Sequence, residues 1–278
     1  MQARATRIPP HRDEKILTSW NALMIKGLAK AGQIFARQDF VNAAEQALDF
    51  IKNTLCVEGR LLATYHSGRA HLNAYLDDYA FLLDAVLTLL QVRWRDADLQ
   101  FAIELAEVLL VEFIDETNGG FYFTGQSHET LITRPKSYSD DSLPSGNGIA
   151  AFALSRLSFL LGEPIYLQAS ERAVQAAWSH ILQMPDAHNT LLLAVEDWLF
   201  TPHIVILRGT PENLAIWQAV CQRNYSPQKM CFAIPQQADL PEYLANKVVK
   251  GEIVAYICSG TQCSAPVTSL QEFTELMA

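Results

Sequence analysis

The chain has 278 residues, of which half are apolar and 18% are charged, so it can bury a large core. Its net charge of −9 argues against a nucleic-acid partner, because such partners are bound largely through basic patches that neutralise phosphates. No apolar run approaches the roughly 18 residues that a membrane-spanning helix needs, and the N-terminus has no apolar signal segment. We therefore predict a cytoplasmic protein with no nucleic-acid partner and no membrane partner.

The first 200 residues have the hydrophobic periodicity of helices. The predicted helices span residues 17–37, 39–56, 75–93, 96–113, 145–161, 164–183 and 188–199. The third, "YLDDYAFLLDAVLTLLQ", and the fifth, "GNGIAAFALSRLSFLL", are apolar almost all round, whereas the second, fourth and sixth carry their charges on one side. A helix that is apolar all round is buried, and an amphipathic helix lies at the surface. The alternation predicts a mainly α fold, in which an inner row of helices is wrapped by an outer row as in an (α/α) toroid.

Three further segments are predicted to contain strands. Residues 59–74 have the pattern of a short hairpin, and in the long loop 114–144 the turn "NGG" leads into a strand "FYF" that "TLIT" could pair with. After Pro202, apolar strand-like segments alternate with helical ones, which indicates a small α/β unit. We therefore predict an incomplete toroid of helical hairpins over residues 1–200 and a small α/β subdomain over residues 201–278.

Acidic residues precede two of the apolar helices and are the strongest candidates for catalysis. Asp77 and Asp78 begin the third helix, and Asp140 lies shortly before the fifth. Hydrolysis of a glycosidic bond needs two carboxyl groups on opposite sides of the bond. We therefore predict Asp77, Asp78 and Asp140 as catalytic acid/base residues at the mouth of the toroid. For Asp77 and Asp78 the alternative is that they only stabilise the first turn of their helix, where acidic side chains are favoured.

Aromatic and polar side chains at the same helix starts and in the long loop are typical of a sugar site. Trp20 has an apolar face on which a sugar ring can stack. The predicted substrate-binding residues are Trp20, Asn21, Tyr79, Tyr122, Arg134, Lys136, Ser145 and Asn147. For "PSGNG", residues 144–148, tight backbone packing is an equal alternative. His66 and His71, in the predicted hairpin, are the candidate bases if the reaction is an epimerisation.

The sequence predicts no metal and no cofactor. It has no HExxH motif, Cys/His ligand set, GxGxxG motif or P-loop. Its five cysteines are irregularly spaced, so most of them are predicted to be reduced thiols in the core. Cys258 and Cys263 flank "SGTQ". The interpretations open for them are a disulfide, a redox pair, half of a structural zinc site, or two small apolar residues near a turn.

Several ordered blocks resemble one family over nearly the whole chain. They are "DEKILTSWNALMIKGLA", "YLDDYAFLLDAVLTLL", "NGGFYFT", "LITRPKSYSDDSLPSGNGIAAFALSRL" and "YICSGTQCSAPV". The chain resembles the C-terminal part of bacterial thioredoxin-domain-containing proteins and of their animal relatives, the spermatogenesis-associated proteins. The resemblance implies an (α/α) toroid similar to six-hairpin glycosidases and N-acylglucosamine 2-epimerases, without the thioredoxin-like domain of the longer relatives.

These features predict a carbohydrate-active or carbohydrate-binding protein with a small sugar ligand. A non-catalytic scaffold or partner-binding fragment is the alternative, and a redox role of Cys258 and Cys263 is a weaker one. Seven helices cannot close a ring of twelve, and an open arc would expose an apolar flank that soluble monomers seldom tolerate. We therefore predict a homodimer, or a partner chain that covers the open edge of the toroid.

Overall fold

The computed structural model describes residues 4, 6–8, 11–224, 226–260 and 262–278. Helices occupy most of the first 200 residues, within a few residues of the predicted bounds. In chain order they are α1 (Thr18–Ile34), α2 (Gln38–Phe50), α3 (Leu76–Val92), α4 (Asp96–Val108), α5 (Gly146–Leu161), α6 (Pro164–Gln183) and α7 (Asn189–Leu199). α2 and α4 each continue into a π-helical turn, Ile51–Leu55 and Leu109–Phe113. Within the described ranges, no helix is both long and apolar enough to span a lipid bilayer.

The helices form two layers. α1, α3, α5 and α7 pack side by side in an inner row, and α2, α4 and α6 pack against its outer side. Nearly every residue of α3 and α5 is buried, whereas α2 buries only Val41, Ala44 and Leu48. The all-round hydrophobicity of α3 and α5 therefore identifies the inner layer, and the predicted partial (α/α) toroid is confirmed.

A small antiparallel sheet lies beside the starts of α1 and α3. Its strands are β1 (Ile16–Leu17), β2 (Cys56–Val57), β3 (Arg60–His66) and β4 (Arg69–Asn73). β3 is central and pairs with each of the other three strands. The predicted hairpin within residues 59–74 is therefore confirmed.

The long loop before α5 differs from its prediction. Phe121 forms an isolated antiparallel bridge with Ile114. The segment "TLIT" contains no strand residue, and its Ile132 is fully exposed. The predicted pairing of "FYF" with "TLIT" is wrong. The physical reason is that Tyr122 N donates to Phe113 O (2.8 Å) and Phe123 N to Pro135 O (2.9 Å). The side chains of Asn147 and Arg134 bind the neighbouring backbone of the loop.

The C-terminal part alternates strands and helices, as predicted. Its elements are β5 (His203–Gly209), α8 (Pro211–Gln222), β6 (Lys229–Pro235), α9 (Glu242–Ala245), β7 (Ile253–Ser259), β8 (Gln262–Cys263) and α10 (Leu270–Met277). β5 lies between β6, to which it is parallel, and β7, to which it is antiparallel, and β8 continues the sheet beside β7.

This second sheet packs under the C-terminal ends of the inner helices. On one face Ile204 and Phe232 join the helical core, and on the other face Val205 packs with residues of α8 and α10. The amide of Gln218 on α8 donates a hydrogen bond to the main-chain oxygen of Gln91 (2.8 Å) near the end of α3. The helix N-termini are left on the opposite side. The division into two domains near residue 200 stays a prediction.

Candidate functional site

The N-terminal ends of the inner helices lie next to one another, and aspartates connect them. Asp78, in the first turn of α3, is buried and accepts a hydrogen bond from Tyr75 N (2.9 Å) at the start of the same helix. Its other oxygen accepts one from Ser19 N (2.9 Å) in the first turn of α1. Backbone N–H groups at a helix start have no partner within the helix. Asp78 therefore satisfies such groups in two neighbouring helices.

Asp140 makes the same kind of connection between α5 and α7. Its Oδ1 accepts a hydrogen bond from Ser145 N (2.8 Å), immediately before α5. Its Oδ2 accepts one from Thr190 N (3.0 Å) in the first turn of α7, and the Thr190 hydroxyl donates to Oδ1. Both oxygens are therefore occupied by donors at helix starts. The structure gives Asp78 and Asp140 a hydrogen-bonding role, and their catalytic role stays a prediction.

Asp77 lies between these two connections and differs from both. It is half-buried, and among the described residues none donates a hydrogen bond to its carboxylate. Burial, with a smaller contribution from the charge of Asp78, raises the pKa of Asp77 to about 6. Burial also raises the pKa of Asp78 to about 6, but the oxygens of Asp78 are already occupied. An unoccupied carboxyl group that titrates near neutral pH can give or take a proton, so Asp77 is the best suited to acid/base chemistry.

The start of α5 has room for Asp77 because residue 146 is a glycine. A Cβ atom at Gly146 would lie 2.2 Å from Asp77 Oδ1 and 3.1 Å from Leu76 Cγ. The carboxylate of α3 is thus in van der Waals contact with the first residue of α5. The contact places Asp77 where the starts of α3 and α5 meet, and its side chain is partly exposed to solvent.

We expect Gly146→Ala to lower the free energy of unfolding by about 1 kcal/mol, because the new methyl group displaces the Asp77 carboxylate and crowds Leu76. Asp77→Ala removes the colliding carboxylate, so the double variant should regain most of that loss. Urea unfolding of both single variants and the double variant measures the coupling. Strictly additive changes would show that the two residues are not in contact.

The predicted binding residues on α1 and α3 have different surroundings. Trp20 begins the outward face of α1 and is 60% exposed, so its ring is free to stack on a ligand. Asn21 donates to the main-chain oxygen of Leu17 (2.8 Å) at the helix start. Tyr79 is buried, and its ring packs against that of Phe113. Of these three side chains, Trp20 is the one whose ring is largely exposed, and its binding role stays a prediction.

Two of the predicted binding residues contact a buried carboxylate in the long loop, and a third packs on one of them. Asp115 accepts hydrogen bonds from Tyr122 Oη (2.8 Å) and Lys136 Nζ (2.6 Å). Arg134 lies over the Tyr122 ring, with 4.3 Å between the guanidinium carbon and the ring centre. Although burial opposes it, hydrogen bonds from Lys136 and Asn118 hold the pKa of Asp115 well below its usual range. This cluster orders the loop that borders the helix starts.

Asp115 is a residue that sequence reasoning missed. Its Oδ1 accepts a hydrogen bond from the backbone N of Asn118 (2.9 Å), three residues on, as in a turn closed by an aspartate side chain. The signal was present in the sequence, because "DETNGG" is an acidic residue followed by turn-forming residues. Its partners Tyr122 and Lys136 are farther along the loop, and no local pattern indicates them.

Ser145 and Asn147 both bind the backbone of the long loop. Asn147 is fully buried, and it accepts from Phe121 N (2.7 Å) and donates to Phe121 O (2.9 Å). Ser145 caps α5 by accepting from Gly148 N (3.3 Å) and donates to Ser137 O (3.2 Å). The structure thus uses these side chains to hold the loop against α5.

The candidate bases lie on the β3–β4 hairpin. The exposed His66 has its Nδ1 3.1 Å from Ser67 Oγ, and Nδ1 of His71 is 3.4 Å from the main-chain oxygen of Arg69. In the described part of the chain, neither ring hydrogen-bonds one of the three aspartates. The described residues also contain no group of three or more His, Cys, Asp or Glu side chains arranged to hold a metal ion.

Cys258 and Cys263 are joined by a disulfide bond, with 2.05 Å between the sulfur atoms. They are opposite each other in the pairing of β7 with β8. Cys221 and Cys231 are buried free thiols, and Cys56 is half-buried. The two paired cysteines therefore hold β8 on the sheet, and their redox role stays a prediction.

The fold has solved counterparts among sugar enzymes. A cellobiose 2-epimerase from Bacillus thermoamylovorans superimposes with a TM-score of 0.50 and 14% identity, over 60% of this chain and 45% of that chain. An α-mannanase of glycoside hydrolase family 76 from Bacteroides thetaiotaomicron gives a TM-score of 0.51 and 12% identity, over 63% of this chain and 46% of that chain. At these identities the likeness establishes the fold. The chain has part of an (α/α) toroid, the fold that these two structures share.

The sequence relatives are longer proteins. The chain is 28% identical to the uncharacterized protein B0495.5 of Caenorhabditis elegans and 26% identical to human spermatogenesis-associated protein 20, in each case over 99% of its own length. It spans 39% and 38% of the lengths of these relatives. No family model matches the chain. The predicted resemblance to the spermatogenesis-associated proteins is confirmed for this part of their length.

Proposed function

We propose that the N-terminal ends of the inner helices form a sugar-binding site with Asp77 as its acid/base residue. The observation that carries the proposal is the unoccupied, half-buried carboxylate of Asp77 between two neighbours whose oxygens are all engaged. The names of the solved counterparts, a cellobiose epimerase and an α-mannanase, support a sugar as the ligand.

The chemistry of the proposed site follows from two side chains. With a pKa of about 6, Asp77 is present in both protonation states near neutral pH, so it can exchange a proton with a sugar oxygen or carbon. Trp20 offers an exposed aromatic face for the apolar side of a sugar ring. Asp78 and Asp140 act as positioning residues that fix the helix starts. Hydrolysis of a glycosidic bond requires a second carboxylate, and no residue is assigned to that role. The proposed function is therefore sugar binding with proton transfer by Asp77, without hydrolysis.

We expect Trp20→Ala to weaken sugar binding about tenfold, because the stacking surface is lost. Isothermal titration calorimetry with cellobiose and with an α-linked mannobiose measures the affinity. Trp178→Ala is the matched control, since Trp178 is a half-exposed tryptophan on α6 in the outer layer, and it should bind like the wild type. In Asp77→Asn the affinity should lose its dependence on pH between about 5 and 7. Wild-type protein that binds neither sugar would overturn the proposal.

A second candidate function is partner binding. It is favoured by a row of exposed apolar side chains on α1. Within the described ranges, this inner helix has a neighbour in the row on only one side. Monomeric soluble proteins rarely expose contiguous apolar surface of this kind.

A further inference from the structure

The two cysteines of the disulfide differ in their exposure to solvent. Cys258 lies in β7 and is 2% exposed, whereas Cys263 ends the two-residue strand β8 and is exposed. The sulfur of Cys263 is therefore the more accessible of the two. Exchange with an outside thiol needs one sulfur that meets the partner and a second that resolves the mixed disulfide. An exposed cysteine bonded to a buried one is suited to these two roles.

The backbone already holds the segment that this disulfide joins to the sheet. Beyond Cys263, Ser264 N donates a hydrogen bond to Ile257 O (2.8 Å). Val267 and Ala255 then exchange a pair of backbone hydrogen bonds (2.8 and 2.9 Å). The two cysteines are opposite each other in one hairpin and only five positions apart in the chain. A crosslink that closes so short a loop restricts the unfolded chain least, so stability alone gives little reason for this bond.

A lysine ammonium group lies beside the sulfur of Cys263. Lys247 Nζ is 3.4 Å from Cys263 Sγ, within hydrogen-bonding distance of a sulfur atom. The same ammonium lies over the rings of Tyr243 and Tyr256, 4.5 and 5.9 Å from their centres. Among the described residues, no carboxylate forms an ion pair with Lys247, and burial lowers its pKa. A thiolate at Cys263 would supply the missing negative charge, and a neighbouring cation favours a thiolate over a thiol.

We propose that Cys258 and Cys263 form a thiol–disulfide exchange site, with Cys263 as the sulfur that meets the partner and Cys258 as the resolving cysteine. The partners are thiols and their disulfides, and Lys247 stabilises the thiolate of Cys263. The tyrosines beside Lys247 are positioning residues, because they hold the ammonium against the sulfur. This site is separate from the proposed sugar site and needs none of its residues.

The exchange balances in two displacements. In the oxidised state of the structure, an outside thiolate attacks Cys263 Sγ and forms a mixed disulfide. The bond between the two cysteine sulfurs breaks, and Cys258 leaves as a thiolate that takes up a proton. A second outside thiolate attacks the partner's sulfur in the mixed disulfide, which releases Cys263 as a thiolate beside Lys247. Two electrons pass from the outside thiols to the cysteine pair, and the reverse sequence oxidises the pair again.

Alkylation of the reduced full chain with iodoacetamide tests the role of Lys247. Peptide mass spectrometry gives the rate at Cys263 as a function of pH. We expect Lys247→Met to slow alkylation at pH 7 roughly tenfold and to move the pH profile upward, because the ammonium no longer favours the thiolate. Lys250→Met is the matched control, since Lys250 is a nearby exposed lysine. It should react like the wild type.

Oxidised glutathione tests the order of the two cysteines. In reduced Cys258→Ala protein, Cys263 should retain glutathione as a mixed disulfide, because the resolving cysteine is absent. In reduced Cys263→Ala protein, Cys258 should take up glutathione at least tenfold more slowly, because it is buried. Peptide mapping separates both adducts from any at the free thiols Cys56, Cys221 and Cys231.

The state of the fold during reduction distinguishes an exchange site from a structural crosslink. We expect dithiothreitol to reduce the disulfide of the wild type while circular dichroism shows the protein still folded. Reduction that occurs only after unfolding would overturn the proposal. So would equal alkylation rates of Lys247→Met and the wild type, or faster uptake of glutathione at Cys258 than at Cys263. Calorimetry with sugars is a separate measurement, and its failure would refute the sugar site alone.

Discussion

Replacing Asp140 with alanine is expected to lower the free energy of unfolding by about 3 kcal/mol. The change leaves the N–H groups of Ser145 and Thr190 and the Thr190 hydroxyl without their acceptor. Both residues are buried, and each unsatisfied buried donor costs about 1–3 kcal/mol. The starts of α5 and α7 lose their connection at the same time. Urea unfolding followed by circular dichroism measures the change.

Asp141→Ala is the matched control for this prediction. Asp141 is the next residue, its side chain is exposed, and it carries the same charge. Its replacement should change the free energy of unfolding by less than about 0.5 kcal/mol. Asp140→Asn retains one acceptor oxygen and should fall between the two. If Asp140→Ala were as stable as Asp141→Ala, the hydrogen bonds of Asp140 would contribute nothing to stability.

Asp77→Asn is expected to raise the free energy of unfolding by about 2 kcal/mol near pH 7.5. The pKa of Asp77 is about 6 in the folded protein against 3.8 for the free side chain, so the folded state binds the proton more tightly. Below about pH 3.8 the carboxyl is neutral in both states and costs nothing. The destabilisation grows as the pH rises from there to about 6 and is constant above it. Asparagine removes the buried charge and with it this pH dependence.

The measurement is urea unfolding of the wild type and Asp77→Asn at about pH 4 and pH 7.5. The two proteins should have nearly equal stability at the lower pH and diverge at the higher one. Asp141→Asn controls for the loss of one exposed negative charge and should follow the wild type at both. Equal stability of Asp77→Asn and the wild type at both pH values would mean that Asp77 is solvated. A gain in stability together with a lost pH dependence of sugar binding is typical of an active-site residue.

The architecture was predictable because it follows from hydrophobic patterns that each helix carries by itself. α3 and α5 are apolar on every side, and only a position inside a row of helices satisfies such a surface. The helix bounds predicted from these patterns also showed that the acidic residues lie at helix starts. They could not distinguish Asp77 from Asp78, because adjacent residues on a helix point about 100° apart and either could face the ligand. The choice depends on Ser19, which is 59 residues earlier in the chain and occupies Asp78.

The long loop was the least predictable part, because its hydrogen-bond partners are also distant in the sequence. Part of its backbone is held by the side chains of Asn147 and Arg134, and Phe123 N donates to Pro135 O (2.9 Å). No local pattern identifies these partners. The amino-acid composition of a segment does not show whether its backbone pairs with another strand or is hydrogen-bonded by side chains from a distant part of the chain. The sequence therefore indicated that Asn147 binds a ligand. In the structure its side-chain amide is hydrogen-bonded to the backbone of Phe121.

The aspartates at the helix starts also set the electric field of the mouth. Four helices begin there in parallel, and each helix N-terminus carries a partial positive charge of roughly half an elementary charge. Without acidic residues such an array would attract anions strongly. Asp77, Asp78 and Asp140 place carboxylates beside all four helix starts and offset that field. We therefore expect the mouth to bind neutral, hydroxyl-rich ligands in preference to phosphorylated ones.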